Sequence, residues 1–210
     1  MERDEQAIGR WITHDWERIQ RRARRQRAHI VFIDETGFLL HPLVQKTWAP
    51  RGQTPVLRHR TRHHRRVSAI GGLSISPRRR RLGWHLRFHL DRSIRQEQVV
   101  HFLGQLRRHL RARIIVVWDH LQAHKSRLLR RWLRRCRRIR LEYLPGYAPE
   151  LNPNEYGWAY LKGRLLANYC PRDVHQLHAR VLVAAGHVAN CQSLLRGFIH
   201  ATRLPIRFNH

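Results

Sequence analysis

The sequence has few cysteines and no long apolar segment. Its three cysteines, Cys136, Cys170 and Cys191, form no closely spaced pair, which argues against a disulfide framework or a zinc site and favours reduced, buried thiols. An apolar run such as Ile114 to Trp118 falls far short of the roughly 20 residues that cross a bilayer. The first ten residues are charged and do not resemble a secretory signal. We therefore expect a soluble, cytoplasmic protein that does not enter a membrane.

Acidic residues are also scarce. The chain of 210 residues has 14 Asp and Glu against 42 Lys and Arg, which gives a formal net charge of +28. Only three of these basic residues are lysines, and a GC-rich genome would explain that preference for arginine. It would not explain the excess of positive over negative charge. Because such a surface neutralises phosphates well, we expect a nucleic-acid partner.

The pattern of apolar residues predicts an α/β fold. Runs of apolar and β-branched residues predict five strands, at residues 30–34, 67–76, 82–90, 112–119 and 139–145. Apolar residues at helical spacing predict five helices, at residues 7–27, 95–110, 125–137, 152–169 and 173–189. The three early strands suggest a meander, and the later strands alternate with helices, which implies parallel crossovers. One mixed sheet with helices on both faces accommodates this order.

Three acidic residues stand where a common site would form. Asp34 and Asp119 each end an apolar strand, and the carboxyl ends of neighbouring parallel strands lie side by side. An aspartate at the end of so apolar a strand is costly unless it has a partner. Glu155 follows a Pro-rich loop, in the sequence Asn-Pro-Asn-Glu at the start of a predicted helix. At that position it could instead complete a capping box with Asn152, although the two aspartates favour a shared site.

Carboxylates in this arrangement point to metal-dependent chemistry on a phosphodiester. Mg²⁺ prefers hard oxygen ligands, and two such ions about 3.5–4 Å apart can clamp a phosphodiester. We predict that Asp34 bridges two Mg²⁺ ions, with Mn²⁺ as a substitute, and that Asp119 and Glu155 each complete the shell of one ion. Water would then be the nucleophile for strand cleavage, and a DNA 3′-hydroxyl would be the nucleophile for joining.

The sequence around these residues resembles the catalytic blocks of mariner-type DDE transposases. The blocks are FIDETGF around Asp34, VVWDHLQAHKS around Asp119 and LPGYAPELNPNEYGWAYLK around Glu155. They are most similar to the bacterial insertion-sequence branch, and the short interval between the last two carboxylates resembles the spacing in this superfamily. The segment KTWAPRGQTP also resembles the family's W-x-P-x-G-Q segment, so the resemblance extends from about Asp34 to Tyr169.

This resemblance implies a ribonuclease-H-like fold and a cut-and-paste transposase, which excises an insertion sequence from double-stranded DNA and inserts it elsewhere. We expect a basic helix and linker at residues 1–28, the catalytic domain at residues 29–170 and a helical extension at residues 171–210. Family members usually carry helix-turn-helix modules before the catalytic domain, and only about thirty residues precede Asp34 here. We therefore expect the element ends to be recognised by a separate helix-turn-helix protein or an upstream frame product, and the active protein to be a homo-oligomer.

Further residues are candidates for DNA contacts. Trp48 could stack on an unpaired base, although a Trp near prolines more often packs against protein. His124 lies where the family often has a histidine, and a bond to the backbone at a helix start is an equally good alternative. The remaining candidates are polar or basic residues near the predicted site or on the outer face of the helix at residues 125–137: Arg51, Lys125, Arg127, Arg131, Arg134, Asn152 and Lys162.

Two other functions fit part of this pattern. The chain could be a catalytically inactive DNA-binding remnant of a transposase, because the recognition module is missing. It could also be another nuclease on the same fold. Intact Asp34, Asp119 and Glu155 argue against the first alternative, and the Asn-Pro-Asn-Glu and W-x-P-x-G-Q segments argue against the second.

Overall fold

A single mixed sheet forms the centre of the molecule. The computed structural model describes residues 3–57, 65–119 and 126–208. The strands are β1 (His29–Leu39), β2 (Arg66–Ile75), β3 (Leu82–Leu90), β4 (Ile114–Trp118) and β5 (Ile139–Tyr143), in the order β3-β2-β1-β4-β5. The pairs β1–β2 and β2–β3 are antiparallel, whereas β1–β4 and β4–β5 are parallel. The predicted meander followed by parallel crossovers is confirmed.

Seven α-helices surround the sheet in the described part of the chain. They are α1 (Glu5–Arg10), α2 (Trp16–Gln26), α3 (Gln96–His109), α4 (Arg127–Arg135), α5 (Pro153–Tyr160), α6 (Val174–Ala189) and α7 (Gln192–Ala201). One π-helical segment, Trp11–Asp15, joins α1 to α2, and a second, Leu161–Leu165, continues α5. A short 3-10 turn at Pro149–Leu151 leads into α5. Among the residues placed by the structure, no helix combines the length and apolar character needed to span a membrane.

The helices cover both faces of the sheet, as predicted. On the α5 face, Ile30 and Phe32 of β1 enter one apolar cluster with α2, α5, α6 and α7. On the α3 face, Val31 and Ile33 enter a second cluster with α3 and α4. Alternate residues of a strand point to opposite faces, so the continuous apolar run of β1 supplies both clusters.

Helices from both ends of the chain belong to the cluster on the α5 face. Trp16 and Ile19 of α2 are fully buried, and the Trp16 ring centroid lies 5.6 Å from that of Phe32. Phe198 of α7 packs against Trp84 of β3, with ring centroids 6.2 Å apart. Residues on either side of the predicted boundaries at 28 and 170 therefore share one hydrophobic core. The division into three segments at those boundaries stays a prediction.

The first strand is longer than its apolar run predicts. β1 continues past Asp34 and pairs with β2 as far as Leu39, opposite Arg66. Its pairing with β4 stops earlier, at Phe32 opposite Val117. Asp34 therefore lies within β1, just beyond the point where its parallel neighbour ends. Pairing with β2 overrides the turn-like sequence after Asp34, because strand preference depends strongly on the partner strand.

Candidate active site

The two aspartates lie at the same level of the sheet. The last β1–β4 pair is Phe32 with Val117, and Asp34 and Asp119 each follow that pair by two residues. Residues two apart in an extended chain point to the same face, and Phe32 and Val117 both pack on the α5 face. The negative charge of Asp119 also acts on Asp34, which agrees with this proximity. The prediction that these two strands are parallel neighbours is confirmed.

Two buried asparagines hold α5 against β1. Asn152 caps the helix, because its side-chain oxygen accepts the N–H of Asn154 at 3.2 Å, and its amide donates to the Ile33 carbonyl at 3.0 Å. Asn154 donates to the Phe32 carbonyl at 2.8 Å and accepts the indole N–H of Trp84 at 2.9 Å. These bonds fix the first turn of α5, which carries Glu155, beside the strand that carries Asp34.

Asn152 therefore has a structural role. Its side chain is only 3% exposed and is bonded within the protein, so the predicted DNA contact by Asn152 does not fit its burial. The alternative that Glu155 completes a capping box with Asn152 is also wrong. The N–H of Asn152 donates to the Pro149 carbonyl at 2.9 Å and not to the Glu155 carboxylate, which is exposed at the start of α5.

The three carboxyl groups influence one another electrostatically. Burial, followed by the negative charges of Glu155 and Asp119, raises the pKa of Asp34 to about 8. The N–H of Glu35 and the indole N–H of Trp158, which lies 2.9 Å from Oδ2, favour the ionised form and limit this rise. Partial burial and the charge of Asp119 also raise the pKa of Glu155, against the opposing charge of a nearby lysine. Without a cation, Asp34 is mostly protonated at neutral pH.

The oxygen donors of this site are of the type that divalent cations prefer. Within the described residues, no group of three or more acidic, histidine or cysteine side chains is placed to hold a metal ion by itself. A Mg²⁺ ion typically takes only one or two protein carboxylates and completes its shell with water and substrate phosphate. Positive charge between the acids would also relieve the repulsion that raises their pKa values. The hard oxygen donors of Asp34, Asp119 and Glu155 therefore match the donor type that such a cation takes.

Lys162 lies on the same side of β1 as the acids. Its Nζ donates to Thr36 Oγ1 at 2.6 Å and lies 5.5 Å from the centroid of the Phe38 ring, and both residues share the face of Asp34. Burial lowers the pKa of Lys162 overall, although the negative charges of Glu155 and Asp34 oppose this shift. It belongs to the π-helical segment that continues α5, and such interruptions are frequent at functional sites. A DNA contact by Lys162 stays a prediction.

The segment between β1 and β2 presents Trp48 and Arg51 to solvent. Trp48 is 100% exposed, so the packing alternative for this residue is wrong in the described structure. Arg51 occupies a turn that is closed by the Gln53 N–H and the Pro50 carbonyl at 3.0 Å. Gly52, with φ of 81°, supplies the left-handed conformation that this turn requires. DNA contacts by Trp48 and Arg51 stay predictions.

The outer face of α4 is strongly basic. Arg127, Arg131 and Arg134 are exposed there and line a surface cleft of about 760 Å³. Leu129 is fully buried on the inner side of this helix, whereas its neighbour Leu128 is 38% exposed. The two remaining candidates, His124 and Lys125, lie outside the residues that the structure describes. A DNA contact by the α4 arginines stays a prediction.

The aromatic side chains that support the acids, Trp158 and Trp84, were not predicted from the sequence. The Trp158 ring, whose N–H bonds Asp34, lies 5.0 Å from the Trp84 ring between their centroids. Glycine permits this packing at two places, because an added Cβ would lie 2.6 Å from Trp158 at Gly71 and 2.8 Å from Trp84 at Gly157. One signal was available: Trp158 follows Glu155 by three residues, which places both near one side of a helix.

Comparison with known proteins agrees with this architecture. Residues 29–178 match the family described as DDE superfamily endonuclease. The chain belongs to the DDE endonuclease superfamily. This confirms the predicted superfamily, whereas its bacterial insertion-sequence branch stays a prediction. Among curated proteins, none matches this DDE endonuclease chain.

Solved structures share the ribonuclease-H-like fold of this DDE endonuclease. The Mos1 transposase paired-end complex with left transposon end is 19% identical with a TM-score of 0.65, over 96% of this chain and 60% of that chain. The Mos1 strand transfer complex is 20% identical with a TM-score of 0.63, over 96% and 60%. The catalytic domain of Mos1 mariner transposase is 15% identical with a TM-score of 0.51, over 99% and 98%. The chain thus spans about 60% of the longer Mos1 chains.

Proposed function

We propose that this chain is the catalytic domain of a DDE transposase, which cleaves and joins DNA in the cut-and-paste movement of an insertion sequence. The carboxylates of Asp34, Asp119 and Glu155 hold two Mg²⁺ or Mn²⁺ ions. The observation that supports this most strongly is the strand register, which sets both aspartates at one level on the face that carries Glu155. The family membership and the fold shared with Mos1 transposase agree with it.

Divalent cations are the expected cofactors of this site. Structures of the Mos1 paired-end complex with Mg and of the Mos1 catalytic domain with Mn show that the related protein binds both. A divalent cation bound here would act as a Lewis acid on the scissile phosphate and on the attacking oxygen. The indole N–H of Trp158 donates to Oδ2 of Asp34 and so fixes the orientation of this carboxyl group. Asn152 and Asn154 keep Glu155 at a fixed distance from β1.

Double-stranded DNA is the proposed substrate, both as element ends and as target. The net charge of +28 supplies cations to neutralise phosphates, and the α4 arginines provide an exposed basic face. Binding should therefore weaken steeply as salt rises, and a flat salt response would contradict this role of the charge. A helix-turn-helix module that recognises the element ends, and a homo-oligomer that pairs two ends, complete the proposal.

The direct test is DNA cleavage by the purified chain. With Mg²⁺ or Mn²⁺, the protein should nick supercoiled plasmid and should insert an oligonucleotide 3′-hydroxyl into it. Asp119→Asn should abolish both reactions because it removes a ligand of one ion. Glu97→Gln, which neutralises an exposed acid in the first turn of α3, is the matched control and should retain both.

The outcomes separate the three candidate functions. Cleavage and joining that require Asp119 support the transposase. Cleavage without joining supports another nuclease on this fold. Salt-sensitive DNA binding without any metal-dependent reaction supports a catalytically inactive remnant and contradicts the proposal.

A further inference from the structure

One arginine of the turn between β2 and β3 is directed into the protein. The turn carries four consecutive arginines at residues 78–81, and three of them are exposed, whereas Arg79 is only 8% exposed. Arg79 also adopts a φ of 54°, in the left-handed region that non-glycine residues seldom occupy. Of the six non-glycine residues with such a φ in the described chain, Arg79 alone is buried, so its burial sets it apart.

The partners of Arg79 in the described structure are neutral. Its guanidinium donates to Gln20 Oε1 at 2.8 Å and to the Arg207 carbonyl at 3.4 Å. Among the residues placed by the structure, no carboxylate lies within ion-pairing distance of it. A buried cation without a counter-charge is costly, and buried charges are normally paired. The missing counter-charge therefore points to a ligand.

Arg79 lines an open cleft of about 530 Å³, hereafter the Arg79 cleft. The cleft lies between α2 and the C-terminal segment at residues 205–207, and Arg24 and Arg207 also border it. The nearby charge of Arg24 acts unfavourably on the Arg79 cation, which shows that the two are close. Glu17 is the acidic residue on this lining, and its carboxylate is paired with Arg21 at 3.2 Å. The cleft is therefore electropositive.

One residue that lines the cleft also carries a buried hydrogen-bond donor without an acceptor. Trp16 borders the cleft and is fully buried, and its indole N–H has no partner in the structure. The side chain of neighbouring Gln20 is bonded elsewhere: its oxygen accepts from Arg79 and its amide donates to the Pro205 carbonyl at 2.9 Å. A buried donor without a partner carries a desolvation penalty that an acceptor would relieve. A buried cation without a counter-charge, in an open cleft bordered by further arginines, calls for an anionic ligand.

We propose that the Arg79 cleft binds a phosphate group. A phosphate offers several acceptor oxygens and negative charge, which is the complement of guanidinium groups at such a site. The site is separate from the carboxylates: the β2–β3 turn begins after Ile75, which pairs with Ile30, and Asp34 lies four residues further along β1. At roughly 3.3 Å per strand residue, the strand end that leads into the turn lies about 13 Å from Asp34 along β1.

The phosphate has two possible sources, DNA backbone or a small phosphate compound. The assignment to DNA rests on the proposed function. If DNA is bound at the carboxylates, the phosphate in the Arg79 cleft would belong to a nucleotide away from the cleavage position. The assignment of a phosphate site rests only on the cleft and holds for either source.

The first experiment titrates inorganic phosphate into the full chain at constant ionic strength. The Trp16 indole N–H resonance, assigned with Trp16→Phe, should shift in the wild type. Arg79→Met should weaken binding by about tenfold or more, as expected when a charge-assisted hydrogen bond is lost. Arg80→Met removes the same charge from the neighbouring exposed position and is the matched control, with binding close to the wild type.

A second variant protects this test from misfolding. Arg79→Met loses the bond to Gln20, so its fold is checked by urea unfolding. Arg24→Gln changes an exposed side chain on the cleft rim and should also weaken phosphate binding while the fold is kept. A Trp16 signal that responds equally to chloride, or equal phosphate affinity in Arg79→Met, Arg24→Gln and Arg80→Met, would overturn the site.

The second experiment replaces phosphate with a DNA duplex. DNA should shift the same Trp16 resonance, and Arg79→Met should lower the slope of log affinity against log salt by about one, more than Arg80→Met does. If phosphate shifts the resonance and DNA does not, the DNA source is overturned and a small phosphate compound is the ligand. Neither readout requires cleavage, so loss of plasmid nicking would contradict the transposase proposal without affecting this one.

Discussion

Replacing Asp34 with asparagine should stabilise the metal-free protein by an amount that grows with pH. The pKa of Asp34 is about 8 in the folded protein, against an ordinary value of 3.8. Between these values the folded state holds a proton that the unfolded state has released, so the wild type loses stability as pH rises. Each pH unit is worth about 1.4 kcal/mol, so the wild type should lose about 3 kcal/mol between pH 5 and pH 7 relative to Asp34→Asn. The difference should level off above about pH 8, where the folded carboxyl also ionises.

The assay is urea unfolding of both proteins in EDTA at pH 5, 6, 7 and 8. All other titrating groups are common to the two proteins, so the difference in unfolding free energy isolates Asp34. Mg²⁺ should then stabilise the wild type and not the variant, because a ligand that binds only the folded state adds to its stability. The difference between the two proteins should narrow as Mg²⁺ is added.

A stability difference that stays constant from pH 5 to pH 8 would refute this reasoning. It would mean that Asp34 ionises normally and is not held close to Glu155 and Asp119 in a buried site. The expected outcome is instead a more stable protein without cleavage activity, which is a common relation between active-site acids and stability.

Two further predictions concern the stability of the fold. Glu142→Gln should lower the unfolding free energy by about 3 kcal/mol, because this 8%-exposed carboxylate accepts three arginine side chains. Burial opposes the ionisation of Glu142, but the arginines lower its pKa overall. Urea unfolding should therefore show a more stable wild type above about pH 4.5, and this difference in unfolding free energy should disappear as the pH falls further. Gly157→Ala should cost about 1–3 kcal/mol in the same assay, because the new Cβ would meet Trp84. Gly186→Ala, a helical glycine with open space around it, is the control and should leave stability unchanged or raise it; equal effects at the two glycines would contradict the close packing.

The sequence contains enough information to predict the sheet and two of its acids. The predicted strands at residues 30–34 and 112–119 are apolar enough to require burial on both faces, which implies parallel, central strands, and each ends in an aspartate. The structure confirms that arrangement. Glu155 was predicted from its place at a helix start, and only the bonds of Asn152 and Asn154 show how that helix reaches β1.

Features that depend on distant partners could not be predicted. β1 extends to Leu39 because β2 supplies a pairing edge, although Gly37 disfavours a strand when residues are taken alone. α7 was not predicted: it follows α6 after only two residues, and Leu195 and Phe198 gain their apolar environment from α5 and β3. The four arginines at residues 78–81 are chemically identical, so only the folded chain distinguishes Arg79 from its neighbours.

The attachment of α5 to main-chain carbonyls has a consequence for how this enzyme can diverge. Asn152 and Asn154 bond the backbone oxygens of Ile33 and Phe32, and every amino acid offers such an oxygen. The side chains at those two positions can therefore be exchanged for others of suitable size while the third carboxylate keeps its place. Substitution of Asn152 or Asn154 should therefore disturb the position of Glu155, whereas the side chains at positions 32 and 33 can change together with the residues that they pack against.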